Sequence, residues 1–110
     1  METAICYAER DNSFTITMKK NGTTLTAVEM GVITKFEIIY NGAYYDSVGD
    51  PTGFDVTDAA GTVKVMPYAL GLTTSSDKVE LIVYDAVDNT HGLVWDQFKL
   101  VMKGDAPAEV

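Results

Sequence analysis

Residues 78–95 read KVELIVYDAVDNTHGLVW. Val79, Leu81 and Val83 alternate with Glu80, Ile82 and Tyr84. A strand points successive side chains to opposite faces, so this alternation predicts a strand over 78–85 with one face buried. A cluster of turn formers follows, and GLVWDQFKLVMK, residues 92–103, opens a second strand. Its two halves prefer different faces, which predicts a bulge near Asp96. Two strong strands joined by a short polar corner set an all-β reading for the chain.

The same period runs back toward the start. In SFTITMKK (13–20), Phe14, Ile16 and Met18 share a face, and an Asn-Gly pair at 21–22 follows. ITKFEIIY (33–40) leads into a second Asn-Gly at 41–42 and then AYYDSV. Both pairs suit a type I′ turn, because Asn and Gly tolerate positive φ. DPTG (50–53) reads as a loop, and FDVTDAAGTVKVMP (54–67) as two short strands that Pro67 ends. Residues 68–77 read as a connector with at most one helical turn, and no stretch shows a helical stripe of useful length. Seven to nine short strands with frequent turns predict an antiparallel β-sandwich, immunoglobulin-like in arrangement. The domain is expected over 1–103, with 104–110 a polar tail. The predicted core holds Val79, Leu81 and Val83 with Phe14, Ile16, Phe36 and Ile38.

Composition narrows the function classes. The chain has 110 residues, one domain by size, with 16 acidic against 8 basic residues and a net charge of −8. That charge repels nucleic acid and anionic lipid. Cys6 is the single cysteine, so no internal disulfide can form; it reads as a small buried hydrophobe. METAICYAERDNS lacks a basic leader and a long apolar stretch, which predicts synthesis in a cytoplasm without a secretory signal. The longest apolar run, AICYA at 4–8, is too short to span a membrane.

Asp85, Asp88, Asn89 and His91 are the densest polar cluster, but their spacing of three, one and two does not match a calcium loop. Asp and Asn bond nearby backbone amides, so the cluster reads as a turn. His91 has no nucleophile motif to serve. There is no Gly-x-Ser-x-Gly, no His-Glu-x-x-His, and GDPTG lacks the lysine of a phosphate loop. The reading is therefore non-enzymatic, with no catalytic residue, cofactor or metal. Tyr44, Tyr45 and Trp95 are the candidate contact residues, because aromatics on a β-surface serve as interface anchors or as stacking platforms for sugars. Alternation lets only one of Tyr44 and Tyr45 point inward.

Four blocks, SFTITMKKNGTTL, GVITKFEIIYNG, GTVKVMPYALGL and KVELIVYDAVDNTHGLVW, give the chain over 13–102 a resemblance to a known group. It resembles the small immunoglobulin-like domains of tailed-bacteriophage structural proteins, including N-terminal domains of some baseplate proteins. The resemblance implies a virion accessory protein, a capsid decoration, neck or tail component, located on the virion. It would bind other virion proteins and copies of itself, and neither nucleic acid nor membrane. The second reading is a carbohydrate-binding or adhesive module using the three aromatics. In the first reading the termini and one sheet edge make the contacts, with ETAICYAE (2–9) as the strand that adds to a neighbour.

Overall fold

In the computed structural model, which describes residues 3–7, 12–87 and 90–104, the chain is mostly β with sheets rich in antiparallel pairs. Ten strands occur among the described residues. They are β1 (Thr3–Tyr7), β2 (Phe14–Thr17), β3 (Lys19–Lys20), β4 (Thr23–Thr24), β5 (Ile33–Tyr40), β6 (Ala43–Asp46), β7 (Phe54–Thr57), β8 (Thr62–Val65), β9 (Ser75–Asp85) and β10 (Leu93–Lys103). One helix, α1, spans Ala27–Val32. The count exceeds the expected seven to nine because the 13–24 segment divides. Met18 leaves the β2 ladder to bond Gly61 O through its N–H and to accept from Leu25 N–H, at 2.8 and 2.9 Å. The two-residue β3 and β4 then pair with each other.

The strands form a five-stranded sheet in the order β1-β10-β9-β5-β6 and a three-stranded sheet in the order β2-β8-β7. All pairs are antiparallel except β1 with β10, which run parallel with Thr3 beside Lys99 and Tyr7 beside Lys103. Buried side chains from both sheets form one core cluster. Val79, Leu81, Val83, Ile16, Phe36 and Ile38 are all in it, as the alternation predicts. Phe14 is half-buried and packs edge-on against Phe98, ring centroids 5.4 Å apart. Cys6 is buried in the same core, and that burial pushes its thiol pKa up.

Both Asn-Gly pairs adopt the expected turn: Asn21 and Asn41 have φ of 53°, followed by Gly22 at 79° and Gly42 at 78°. The register of β9 and β10 shifts between Val94 and Asp96, so the bulge lies where the change of face places it. β9 begins at Ser75, three residues earlier than the sequence pattern shows, because 75–77 pair with Leu100–Met102 although their own side chains are polar. The helix departs from the sequence reading. Six residues are too few for a periodic stripe, and the signal is instead the capping box Thr26-x-x-Glu29. Thr26 Oγ1 accepts from Glu29 N–H at 3.2 Å, and Glu29 Oε1 accepts from Thr26 N–H at 3.0 Å. The bond from the Thr26 N–H is the main reason the Glu29 carboxyl lies below its ordinary pKa, with the Thr26 side chain and the Lys20 charge adding to it.

Candidate functional site: the outward face of the large sheet

In β5, the side chains of Phe36, Ile38 and Tyr40 are buried in the core, so Lys35, Glu37 and Ile39 belong to the opposite face. The register carries that face across the sheet. One row runs Tyr44, Ile39, Glu80, Gln97. The next runs Asp46, Glu37, Ile82, Val94. Lys35 stands beside Tyr84 in a third. Ile39 and Ile82 are half-buried, while Tyr44 is 66% and Val94 50% exposed. The result is an apolar diagonal of two cross-strand pairs on an otherwise charged surface, with Tyr44 at the β6 edge and Val94 toward the other.

A polar network lies beneath it. Glu37 is only 9% exposed, yet it sits on the outward face of the sheet. Its Oε1 accepts from the Tyr84 hydroxyl at 2.8 Å. That bond, followed by burial and the Glu37 charge, raises the Tyr84 pKa. Lys35 Nζ sits over the Tyr84 ring, 4.1 Å from its centroid, which places a cation on the electron-rich face of the phenol. Gly92 closes this corner. With φ at 92° it occupies a region L side chains rarely adopt, and a Cβ there would strike the Ile82 methyl and the Tyr84 ring. Along the rim, Gln97 Nε2 donates to Glu80 Oε2 at 3.4 Å and Lys78 Nζ lies 3.8 Å from Glu80 Oε1.

The three expected contact residues separate. Tyr44 is on the outward face, opposite Ile39; Tyr45 pairs with Ile38 and packs against the core. Trp95 sits at the bulge, where Val94 opposes Ile82 and Asp96 opposes Leu81, and it too packs against the core. It lines a groove between β2 and the β1–β10 side of the large sheet. The structure therefore does not join Tyr44, Tyr45 and Trp95 into one stacking platform. Sequence reasoning missed Ile39, Ile82 and Val94. The period-two pattern assigns them outward, and an outward apolar residue is informative only when neighbours on adjacent strands are apolar too.

Of the polar corner, Asp85 Oδ1 accepts from Val87 N–H at 2.9 Å, the turn bond expected of it. Asp88 and Asn89 lie outside the described residues. Thr90 Oγ1 and His91 Nδ1 are 3.3 Å apart, both exposed. Among the described residues no group of three or more His, Cys, Asp or Glu side chains is placed to hold a metal ion. No described helix is long and apolar enough to cross a membrane. Neither a protein-family model nor a curated protein matches this chain.

Proposed function

We propose that this chain is a non-enzymatic, immunoglobulin-like β-sandwich that serves as a virion structural or accessory protein, and that it works by protein–protein binding through the outward face of its large sheet. The observation that carries the binding reading is the set of Tyr44, Ile39, Ile82 and Val94. Tyr44–Ile39 and Ile82–Val94 form two apolar cross-strand pairs set diagonally on one face, flanked by Glu37 and Glu80 with Lys35 and Lys78 beyond, and apolar residues with a polar border are the composition of an interface. The exposed tyrosine supplies an anchor with an apolar ring and a polar tip.

The strand order supports the immunoglobulin-like reading. β5, β9 and β10 take the places of the C, F and G strands, with β6 alongside β5 as an additional edge. β2, β8 and β7 take the places of B, E and D. The blocks that carry the bacteriophage resemblance fall on β2–β4, β5, β8 and the β9–β10 pair, which are the framework of that order. The acidic excess suits a particle protein that must not compete for a packaged genome.

The test is to co-express the chain with each product of its neighbouring genes and look for co-purification, in the wild type and in Tyr44→Asp. The expected result is capture of a capsid, neck or tail protein by the wild type and its loss in the variant. Neighbours that include no virion protein, with no co-purifying partner, overturn the proposal. Binding in a glycan screen instead would favour the adhesive reading.

A further inference from the structure

β1 is an end strand of the large sheet: among the described residues it pairs with β10 alone. The side chain of Asn12 shows which of its backbone groups face away from β10. Asn12 Oδ1 accepts from Tyr7 N–H at 2.6 Å and Nδ2 donates to Tyr7 O at 3.1 Å, so one carboxamide stands in for a neighbouring strand at that residue. Along a strand, residues that turn both backbone groups to one side alternate with residues that turn them to the other. Thr3 and Ile5 therefore face the open side with Tyr7, while Ala4 and Cys6 face β10. Among the described residues nothing does for Thr3 or Ile5 what Asn12 does for Tyr7. The open edge is two residues long and ends at a built cap.

That edge lacks the usual devices against pairing. Thr3–Tyr7 contains no charge and no proline, and its register with β10 runs without a shift. Ile5 adds an apolar side chain on the outward face, 54% exposed, beside half-buried Val101. β2 borders the same flank of the sandwich, since Thr3, Ala4 and Phe14–Thr17 line one groove, and it too is uncharged. The charged residues that line this groove, Lys19 and Asp96, are of opposite sign. The other flank ends in β6 and β7, which carry Asp46 and Asp55.

Charge and size both select a second copy of this chain as the occupant. Each chain carries −8, and two copies that met at the β6–β7 flank would set aspartates against one another. The β1 edge sets no charged strand residue against its mate. An edge of two residues offers too few hydrogen bonds to offset the ordering of a flexible peptide, whereas β1 of a second copy is already held extended by β10. The open groups are also self-complementary. In an antiparallel pair, residues directly opposite exchange both backbone bonds at alternate positions. Placing Thr3 opposite Ile5 of the second copy, and Ile5 opposite its Thr3, satisfies the open groups of both and disturbs none that Asn12 holds. The two-fold axis then passes at Ala4, whose small side chain suits the close approach of a non-hydrogen-bonded pair. We propose that two copies join antiparallel through β1 in this register, so that their five-stranded sheets become one continuous sheet. Such a contact is isologous and closes as a dimer. It goes beyond the outward-face reading, since Tyr44 lies on β6 at the far edge of the sheet.

Light scattering across protein concentrations, with amide hydrogen exchange followed by NMR on the same samples, tests it. The expected result is a dimer that strengthens with added salt, since screening weakens the repulsion between two acidic chains. Exchange at the Thr3 and Ile5 amides should slow severalfold as concentration rises, while Tyr7 N–H, bonded to Asn12, is protected throughout. Ile5→Pro removes an N–H that faces away from β10, so it should keep the fold by circular dichroism and lose the dimer. Ile5→Val keeps that N–H and most of the apolar surface, and should associate like the parent. If Ile5→Pro does not fold, exchange in the intact chain decides. A chain that stays monomeric up to millimolar concentration overturns the proposal, as does association that leaves the Thr3 and Ile5 amides unprotected. Protection that requires a co-expressed protein assigns the edge to that protein and overturns it too. Tyr44→Asp should leave the dimer unchanged, so failure of the β1 contact and failure of the outward face are read apart.

Discussion

Glu37 and Tyr84 stand on adjacent strands of one sheet face, and the phenol donates to the buried carboxylate at 2.8 Å. A carboxylate at this depth keeps its charge at a cost unless donors compensate for lost water. Tyr84→Phe removes the donor and leaves the ring under Lys35 intact. It should destabilise the fold by about 1–3 kcal/mol, the range for an orphaned buried polar group. Glu37→Gln should cost less, because an amide is easier to bury than a carboxylate. Urea denaturation of both single variants and the double variant measures the coupling; a Tyr84→Phe variant as stable as the parent would show that the bond contributes nothing.

Leu81 is fully buried between Ile38 on β5 and the β10 bulge. Leu81→Ala should cost about 2–5 kcal/mol, from lost apolar transfer and the cavity left behind. Ile82→Ala, one residue along on the outward face and half-buried, should cost less. Thermal or urea melts that rank the two in the opposite order would contradict the assigned faces.

Alkaline pH should unfold the protein through its tyrosines. Burial raises the Tyr40 pKa above its ordinary 10.0, Asp77 adds to the effect, and the bond with Ser75 opposes it. A phenol with a raised folded pKa holds its proton more tightly in the native state. Its contribution is complete below pH 10 and is lost as pH rises through the folded value. Tyr40→Phe should be less stable at neutral pH, losing contacts to Ser75 Oγ at 2.7 Å and Leu100 O at 3.2 Å, and should show a flatter decline above pH 10. Tyr84, raised by its bond to Glu37, should account for part of the slope that remains. Unfolding midpoints across the alkaline range are the measurement, and parallel declines for variant and parent would exclude Tyr40 as a source.

Tyr44→Asp should leave stability within about 0.5 kcal/mol, since the side chain is mostly in solvent. A substantial drop in melting temperature would mean that the tyrosine packs against its own fold and is not held out for a partner.

Strands with one buried face were legible because alternation records both their type and their orientation: Val79, Leu81 and Val83 did this for β9. The Asn-Gly turns were legible because few residues accept positive φ twice in succession. The helix was hidden by its brevity, although Thr26 and Glu29 carried its cap. The outward face was hidden for a different reason. Which of Ile39, Ile82 and Val94 share a surface depends on register between strands distant in sequence, and alternation within one strand does not contain it. Trp95 shows the same limit, since its direction is set by the extra residue in β10 and not by its own neighbours.

The parallel pairing of β1 with β10 joins Thr3 to Lys99 and bears on how the protein is made. β10 is inserted between β1 and β9, so the sheet stays in two pieces until residues 93–103 have left the ribosome. A nascent chain up to residue 92 therefore exposes the long edge of β9 and leaves β1 without a partner. Closure must wait for a contact between residues as distant in sequence as Thr3 and Lys99, which makes folding slow. Stalled chains released before Lys103 should be bound by chaperones or degraded, while chains tethered long enough to free β10 should acquire protease resistance in one step.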